Sequence, residues 1–296
     1  MNRYPAPAQP LVAALEAEAA AAPDRAVSFQ GAPGANSHMA VLETNPDAIA
    51  LPCFSFEDAI DAVVEARAAK AVIPIENSLF GRVADIHFLL PESGLVIVGE
   101  HFLPIRHALM GTGPLDQVRQ AISHPQALGQ CRAWLRARDI EPVAYPDTAG
   151  AAARALELGD PTIAAIAPPY AAQIYGLSLL QDGLEDSADN MTRFIILARS
   201  DAGLLHEGQM MTSLIFEVKN VPAALYKAMG GFATNGVNIT KLESYQRGAS
   251  FAATTFFLDI VGSPKDPGVA RALEEVQFHS KSLRLLGTYP QARQRG

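Results

Sequence analysis

The sequence predicts an α/β protein in which two lobes are followed by a small separate domain. Short apolar strands alternate with helical stretches from residue 25 to residue 198, an order typical of a largely parallel sheet. A polar, glycine-containing stretch at 201–209 ends this alternation. Beyond it the pattern reads strand, helix, strand, strand, helix, strand up to residue 290, which is the ferredoxin-like order.

The elements of the two-lobed region follow from hydrophobic periodicity and turn residues. In the first lobe we expect strands at 26–29, 49–52, 71–75 and 95–101, and helices at 37–44 and 56–69. In the second lobe, which the chain enters near His107, we expect strands at 121–123, 142–145 and 162–167, helices at 126–138, 148–158 and 168–175, and an extended segment at 177–181. A strand at 192–198 can return the chain to the first lobe. The two-lobed region is therefore predicted at 25–200, with its second lobe at roughly 104–190 and a cleft between the lobes.

The small domain at 210–290 has its own start and stop signals. Strands are predicted at 210–218, 237–245, 251–260 and 282–289, and helices at 222–234 and 267–279. Pro222 lies at the start of the first of these helices, where proline fits, and Asn235-Gly236 fits its end.

Charge and cysteine content narrow the possible partners. The 296 residues carry a formal net charge of -8 and show no stripe of lysine or arginine, so nucleic acid and anionic membranes are not expected partners. Cys53 and Cys131 lie far apart and outside metal-ligand spacing, which favours buried free thiols in a reducing compartment, with the cytoplasm as the expected location. The alanine-rich start, residues 1–24, is interrupted by Glu16 and Glu18 and is predicted to be a frayed helix or a loose tail.

A dense polar triplet follows the predicted strand 71–75. Glu76 can hold or accept a proton, Asn77 both donates and accepts hydrogen bonds, and Ser78 can cap a helix or bind an oxyanion. Ligands of open α/β sheets collect beyond the carboxyl ends of the strands, which is where this triplet falls. The segment alone fits either a capped turn or one wall of a binding site.

Two further clusters lie at strand-to-helix junctions. Gly31 and Gly34 allow close backbone approach before a helix that Asn36 or Ser37 can cap, so this turn is either structural or a site for an anion. It is neither a dinucleotide fingerprint nor a P-loop. At the second junction, Ser123 either caps a helix or joins Gln126 and Gln130 in donating to an anion; a Ser–His hydrolase is not expected, because the nucleophile-elbow motif is absent.

The last two clusters leave similar alternatives. Asp147 or Thr148 fits the N-cap of a helix, and these residues are also candidates for a binding site. Arg193, next to Thr192 in an apolar strand, needs a partner, either a substrate carboxylate or a carboxylate of the protein. Taken together, polar residues at several strand ends of two facing lobes predict a cleft for a small anion.

The motifs in this order resemble those of prephenate dehydratases along essentially the whole chain. They are Phe29-Gln-Gly31-Ala-Pro-Gly34-Ala-Asn-Ser37, Pro74-Ile-Glu-Asn-Ser78 with Gly81, Ser123-His-Pro-Gln126-Ala-Leu-Gly-Gln130, Asp147-Thr-Ala-Gly-Ala-Ala152 and Thr192-Arg193-Phe194. The resemblance implies two lobes like those of a periplasmic binding protein, followed by an ACT regulatory module. It also implies the conversion of prephenate to phenylpyruvate, with no metal and no organic cofactor.

The resemblance assigns roles to individual residues. Thr192 matches the family's essential threonine, and Arg193 and Glu76 are expected beside it in the catalytic group. Glu76 is an unusual neighbour for a dianion, so it is either protonated, or orients Asn77, or acts from behind the substrate-binding residues. The residues expected to bind substrate are Gly31, Gly34, Ser37, Asn77, Ser78, Ser123, Gln126, Thr148 and Phe194.

In the small domain the resemblance implies a phenylalanine effector site shared between subunits of a homodimer or a dimer of dimers. The expected effector-binding residues are Ala223, Ala224, Leu225, Asn238, Glu243 and Ser244. This chain has Ala223 where the family commonly has glycine, and Tyr245-Gln246 where it commonly has Arg-Pro, so a domain that only dimerises is the alternative. Arogenate is an alternative substrate, and a binding protein without turnover is a different class that the Thr192 motif argues against.

Overall fold

The computed structural model describes residues 4–83, 85–202, 207–246 and 253–294. The chain forms two compact units. The first comprises Met1–Ile86 and His101–Phe194, and the second comprises His87–Glu100 and Ile195–Gly296.

Helices and strands alternate over the first two hundred residues. In chain order they are α1 (Gln9–Ala21), β1 (Ala26–Gln30), α2 (Asn36–Thr44), β2 (Ile49–Cys53), α3 (Phe56–Val64), β3 (Lys70–Asn77), β4 (Gly81–Arg82), α4 (Ile86–Ser93), β5 (Val96–Pro104), β6 (Ala108–Gly111), β7 (Gln120–Ser123), α5 (Pro125–Gln130), α6 (Arg132–Ala137), β8 (Glu141–Ala144), α7 (Thr148–Leu158), β9 (Ile163–Ala167), α8 (Pro169–Tyr175), β10 (Ser178–Gln181) and β11 (Met191–Ala198).

These strands form two sheets. The first has the order β2-β1-β3-β11-β5, with β4 added to β3, and β1 runs parallel to both β2 and β3. The second has the order β10-β6-β9-β7-β8, with β7 parallel to β8 and β9. The predicted α/β class is therefore confirmed, and β11 lies in the first sheet, between β3 and β5. This position places the beginning of β11 beside the end of β3.

Of the two alternatives for residues 1–24, a frayed helix or a loose tail, the tail is wrong for residues 9–21, which form the packed helix α1. This helix buries Val12 and Ala19, and it packs against β2. Alanine has the highest helix propensity, and Pro10 lies in the first turn, where it is tolerated. The charged residues that interrupt the apolar pattern, Glu16 and Glu18, lie on the exposed face of the helix.

Other differences concern breaks and short elements. The predicted helix 126–138 is two helices, α5 and α6, because the backbone leaves helical geometry at the buried Cys131. Helix α4 was not predicted, and its sequence contains Pro91, which normally interrupts a helix.

The remaining elements form a third sheet with two helices. They are β12 (Met210–Val218), α9 (Ala224–Thr234), β13 (Ile239–Gln246), β14 (Ala253–Val261), α10 (Pro267–His279) and β15 (Ser280–Pro290). The antiparallel order β13-β14-β12-β15 is that of a ferredoxin-like fold. Leu214, Phe216 and Leu258 form its core with Phe232 of α9 and Val276 of α10. No helix within the described ranges is long and apolar enough to cross a bilayer.

Candidate active site

The end of β3 and the start of β11 bring Asn77 and Thr192 together. The Asn77 Nδ2 group donates to Thr192 Oγ1 at 3.0 Å and to Asn190 Oδ1 at 2.8 Å. On the other side of the amide, Asn77 Oδ1 accepts the backbone N–H groups of Leu79 and Phe80, at 3.0 and 3.1 Å. Because backbone N–H groups can only donate, the Asn77 amide is held in one orientation.

This orientation determines what the Thr192 hydroxyl can do. Its oxygen accepts a hydrogen bond from Asn77, and its own O–H has no acceptor among the residues that the structure describes. Thr192 is 9% exposed, so the hydroxyl is shielded but reachable. The arrangement leaves Thr192 as a hydrogen-bond donor to a molecule bound at this strand end.

The hydrogen bonds continue from Asn77 into the interior of the first unit. Asn190 Nδ2 donates to Gln130 Oε1 at 2.7 Å, and His107 Nε2 lies 2.6 Å from the same oxygen. Asn190 and His107 are each 1% exposed, and Gln130 is 9% exposed. Burial lowers the pKa of His107, although the Gln130 hydrogen bond and the Glu185 carboxylate act in the opposite direction.

Sequence reasoning offered Gln130 as a donor to an anion but did not place Asn190 or His107 in the site. Asn190 lies two residues before Thr192, and a polar residue directly before an apolar strand was a signal. His107 carried no such signal, because its partner lies in a helix of the same lobe and no spacing connects them.

Glu76 and Arg193 form a second pair across the same two strands. Arg193 Nη1 lies 3.8 Å from Glu76 Oε2, and the arginine side chain is 4% exposed. Successive side chains of a strand point to opposite faces, so this pair lies on the face of the sheet opposite Asn77 and Thr192. Arg193 therefore has the protein carboxylate as its partner, and Glu76 has a cation beside it.

Ser78 forms hydrogen bonds that connect the end of β3 to the start of β11. Its backbone N–H donates to the Met191 carbonyl at 2.8 Å, and its hydroxyl oxygen accepts the Met191 N–H at 2.9 Å. The hydroxyl proton is directed to the Asp189 carbonyl at 3.3 Å. The role of Ser78 as a substrate-facing donor stays a prediction: its side chain is exposed, and its hydroxyl donates to the Asp189 carbonyl at the start of β11.

The backbone amides of the glycine turn have partners inside the protein, and an anion site at Gly31 and Gly34 stays a prediction. The Gly31 N–H donates to the Cys53 carbonyl at 2.9 Å, and the Gly34 N–H donates to His38 Nδ1 at 3.0 Å. Between them, the Ala32 N–H donates to the Asp147 carboxylate. Three of the amides that would cradle an anion are thus satisfied inside the protein.

Close packing explains why glycine stands at position 34. Its φ is +94°, and a Cβ would lie 3.0 Å from Ala171 Cα of α8. The acceptor His38 stacks on Phe29 with 5.0 Å between ring centroids, and burial lowers its pKa to about 4. His38 is therefore neutral at neutral pH and its Nδ1 can accept. Helix α2 begins with Ala35 as N-cap and has no side-chain cap, so the expected capping by Asn36 or Ser37 is wrong. Ser37 is 7% exposed.

At the strand-to-helix junctions of the second sheet, polar side chains cap helices, which is one of the two predicted alternatives. Asp147 caps α7 through the Gly150 N–H at 2.7 Å, as predicted, and Thr148 is the first residue of that helix. Desolvation raises the pKa of Asp147, and the Gly150 and Ala32 N–H groups oppose this rise. The His124 side chain, and not Ser123, caps α5.

Ser123 and Phe194 are turned into the protein. The Ser123 hydroxyl is completely buried and donates to the Ile166 carbonyl, so it is not a free donor for an anion. Phe194 is 1% exposed and contributes to the core. Gln126, in contrast, is exposed at the start of α5 and remains available to a ligand.

In the second unit, the predicted effector residues occupy the start of α9 and the strand β13. Ala223 precedes α9 with φ +62°, a left-handed conformation that glycine adopts without strain. Ala224 and Leu225 begin the helix, and Asn238 is exposed just before β13. The Glu243 carboxylate accepts from Lys241 Nζ at 3.2 Å. Ser244 is an exposed neighbour on β13, and β13 is an outer strand of its sheet.

Comparison with known proteins identifies the family. The sequence profile of prephenate dehydratases matches residues 27–202. The chain belongs to the prephenate dehydratase family. Within the described ranges, no cluster of three or more His, Cys, Asp or Glu residues could hold a metal ion.

Members and relatives of the prephenate dehydratase family match most of the chain. The bifunctional N-acyl-homoserine lactone acylase/prephenate dehydratase of Komagataeibacter europaeus is 46% identical over 270 residues, covering 90% of this chain and 96% of that protein. The chloroplastic arogenate dehydratase/prephenate dehydratase 1 of Arabidopsis thaliana is 35% identical, covering 89% and 71%. A solved prephenate dehydratase from Arthrobacter aurescens, in complex with L-Phe, is 29% identical with a TM-score of 0.82, covering 90% of both chains.

Proposed function

We propose that this protein converts prephenate to phenylpyruvate and that Thr192 assists departure of the ring hydroxyl. The observation that carries the proposal is the fixed Asn77 amide, which occupies a lone pair of Thr192 and directs its O–H outward. Family membership supplies the reaction class, and the geometry supplies the role.

The reaction requires little from the protein beyond orientation and one well-placed donor. The bond between the ring and its carboxylate breaks, and its electron pair enters the ring as carbon dioxide leaves. Aromatisation of the ring expels the C4 hydroxyl as hydroxide, which is neutralised by solvent. Negative charge therefore grows on the departing oxygen, and a donor aimed at that oxygen stabilises the transition state more than the ground state.

Thr192 is suited to hydrogen bonding rather than to full proton transfer. A threonine hydroxyl is a very weak acid, so its contribution is a hydrogen bond that strengthens as charge develops. The hydrogen bond that Thr192 accepts from Asn77 polarises its O–H further. Removing one preorganised donor of this kind lowers turnover by about 10²–10³-fold in comparable sites.

The direct test is conversion of prephenate by the purified protein. Phenylpyruvate is followed by its ultraviolet absorbance, and arogenate is assayed in parallel by the phenylalanine that forms. Conversion of prephenate supports the proposal, and preferential conversion of arogenate would move the substrate assignment to the alternative. Conversion of neither would refute dehydratase activity.

We also propose that residues 210–290 form an ACT regulatory domain that binds phenylalanine in a homodimer or dimer of dimers, with 25–200 as the catalytic region. The ferredoxin-like order and the L-Phe complex of the Arthrobacter aurescens relative support this. Isothermal titration with phenylalanine should give saturable heat, and Glu243→Gln should weaken binding. An absence of heat at millimolar phenylalanine would favour a domain that only dimerises.

A second candidate function is hydrolysis of N-acyl-homoserine lactones. The relative named for this activity is 46% identical over nearly its whole length. In this chain a cavity of about 950 Å³ lies between α1 and the end of β2, with Val12, Leu51 and Phe54 among its lining. A volume of this size can admit an acyl chain. Release of homoserine lactone, measured by chromatography, would support the activity, and its absence at high enzyme concentration would exclude it.

A further inference from the structure

We propose that His107 and Asn190 are positioning residues that fix the donor direction of Thr192 through Gln130 and Asn77. The inference rests on the proposed function for its consequence in turnover. Its structural part, the direction of each hydrogen bond in this chain of side chains, stands independently of the substrate.

The direction of the hydrogen bonds follows from the central acceptor. Gln130 Oε1 lies within 2.7 Å of both Asn190 Nδ2 and His107 Nε2. A carbonyl oxygen cannot donate, so both neighbours must donate to it. The Asn190 nitrogen therefore faces Gln130, and its oxygen faces Asn77, where it accepts the second hydrogen of the Asn77 amide.

The chain is pinned at the Asn77 end and closed by the His107 ring. The backbone N–H groups of Leu79 and Phe80 hold the Asn77 amide oxygen. With that end fixed, turning over either intervening amide would place two N–H groups or two oxygens against each other. A neutral His107 must then carry its single proton on Nε2 to donate to Gln130.

The state of the His107 ring is unusual for a side chain with no role. The ring is 1% exposed, and its Nδ1 has no hydrogen-bond partner in the described part of the chain. A buried acceptor without a partner lowers the stability of the folded protein. The backbone of His107 is held separately, because its N–H donates to the Glu185 carboxylate at 3.0 Å. The imidazole thus contributes a directed N–H to Gln130 at a cost to stability.

Loss of this N–H has a defined consequence. Gln130 Oε1 keeps only the Asn190 donor, so the Gln130 side chain is held by one hydrogen bond fewer. Asn190, and through it the Asn77 amide, are then held less tightly. The contact between Asn77 Nδ2 and Thr192 Oγ1 becomes less well fixed, and the Thr192 hydroxyl gains rotational freedom.

The experiment combines kinetics with imidazole nitrogen NMR on the full-length protein. His107→Leu removes the donor, His107→Gln restores a side-chain N–H, and Asn190→Asp keeps the acceptor for Asn77 but removes the donor to Gln130. Ser28→Ala is the matched control, since Ser28 is completely buried and donates to the Ala59 carbonyl at 2.7 Å, away from this chain of side chains.

We expect His107→Leu and Asn190→Asp to lower kcat for prephenate by about tenfold or more, with KM changed less than about threefold, because the donor acts in the transition state. We expect His107→Gln to recover part of kcat, and Ser28→Ala to lose stability without losing kcat. A folded His107→Leu protein with wild-type kcat would overturn the proposal. So would equal loss of kcat in the control.

The NMR readout separates this proposal from the proposed function. The wild-type His107 signals should show the Nε2–H tautomer, and Asn190→Asp should shift the ring toward Nδ1–H as Gln130 turns its NH₂ group to the new carboxylate. An Nδ1–H tautomer in the wild type would overturn the inference even if prephenate is converted. If the protein does not convert prephenate, the tautomer and its response still test the chain of hydrogen bonds.

Discussion

Acidification should destabilise the first unit through His38. This ring is 5% exposed, stacks on Phe29 and accepts the Gly34 N–H through Nδ1. Burial lowers its pKa from 6.5 to about 4. Protonation would charge a buried ring and convert the acceptor of the Gly34 N–H into a second donor.

The sign and size of the effect follow from proton linkage. Between pH 6.5 and about 4 the unfolded chain binds a proton that the folded chain does not, so the free energy of unfolding rises with pH in this window. His38 makes its full contribution above pH 6.5 and loses it as the pH falls toward its folded pKa. At 1.36 kcal/mol per pKa unit, the loss between pH 7.5 and pH 4.5 is ~2.5 kcal/mol.

The assay is urea unfolding at pH 7.5 and pH 4.5 for the wild type and for His38→Asn. The Asn side chain offers Oδ1 as an acceptor for Gly34 but does not titrate. Other buried histidines, such as His107, titrate in both proteins and cancel in the comparison. We expect the wild type to lose ~2.5 kcal/mol more than His38→Asn between the two pH values. Equal losses would refute the argument that burial holds His38 neutral.

Three further substitutions test individual assignments. Arg193→Lys should lower the free energy of unfolding by ~1–3 kcal/mol in urea titrations while KM for prephenate changes little, because the buried guanidinium beside Glu76 is replaced by a shorter, more strongly hydrated ammonium. A large rise in KM would place Arg193 at the substrate. Ser78→Ala should lower the free energy of unfolding by ~1 kcal/mol, because the hydrogen bond with Met191 is lost, and KM should not change. A tenfold rise in KM would contradict this. Ala223→Gly should raise thermal stability by up to ~1 kcal/mol, because relief of left-handed strain, ~1–2 kcal/mol, exceeds the added chain entropy of glycine. A destabilised Ala223→Gly protein would show that the strain is absent.

Local sequence signals were sufficient for elements whose limits are set by their own residues. Helix α7 begins at Thr148 after the Asp147 cap and ends before Gly159 in a left-handed conformation, as the pattern predicted. Strand β12 and helix α10 likewise have their predicted limits. In each case a cap, a proline or an alternating pattern lies within the segment itself.

The functions of polar groups were harder to predict, because distant partners decide them. The glycine turn looked open to an anion, whereas its Ala32 amide donates to Asp147, the N-cap of α7, and its Gly34 amide donates to His38. The packing of the N-terminal helix was not predicted, because its few buried residues, Val12 and Ala19, are spread over an alanine-rich segment with a weak apolar face. The role of His107 depends on tertiary contact alone.

The central claim is that Thr192 donates a hydrogen bond to the departing hydroxyl because Asn77 fixes its orientation. The most direct measurement is steady-state turnover of prephenate by Thr192→Val, which keeps the shape and removes the hydroxyl, beside Thr192→Ser, which keeps a hydroxyl. We expect Thr192→Val to lower kcat by about 10²–10³-fold with KM within a few-fold, and Thr192→Ser to remain within about tenfold of the wild type. A folded Thr192→Val protein with near-wild-type kcat would contradict the account.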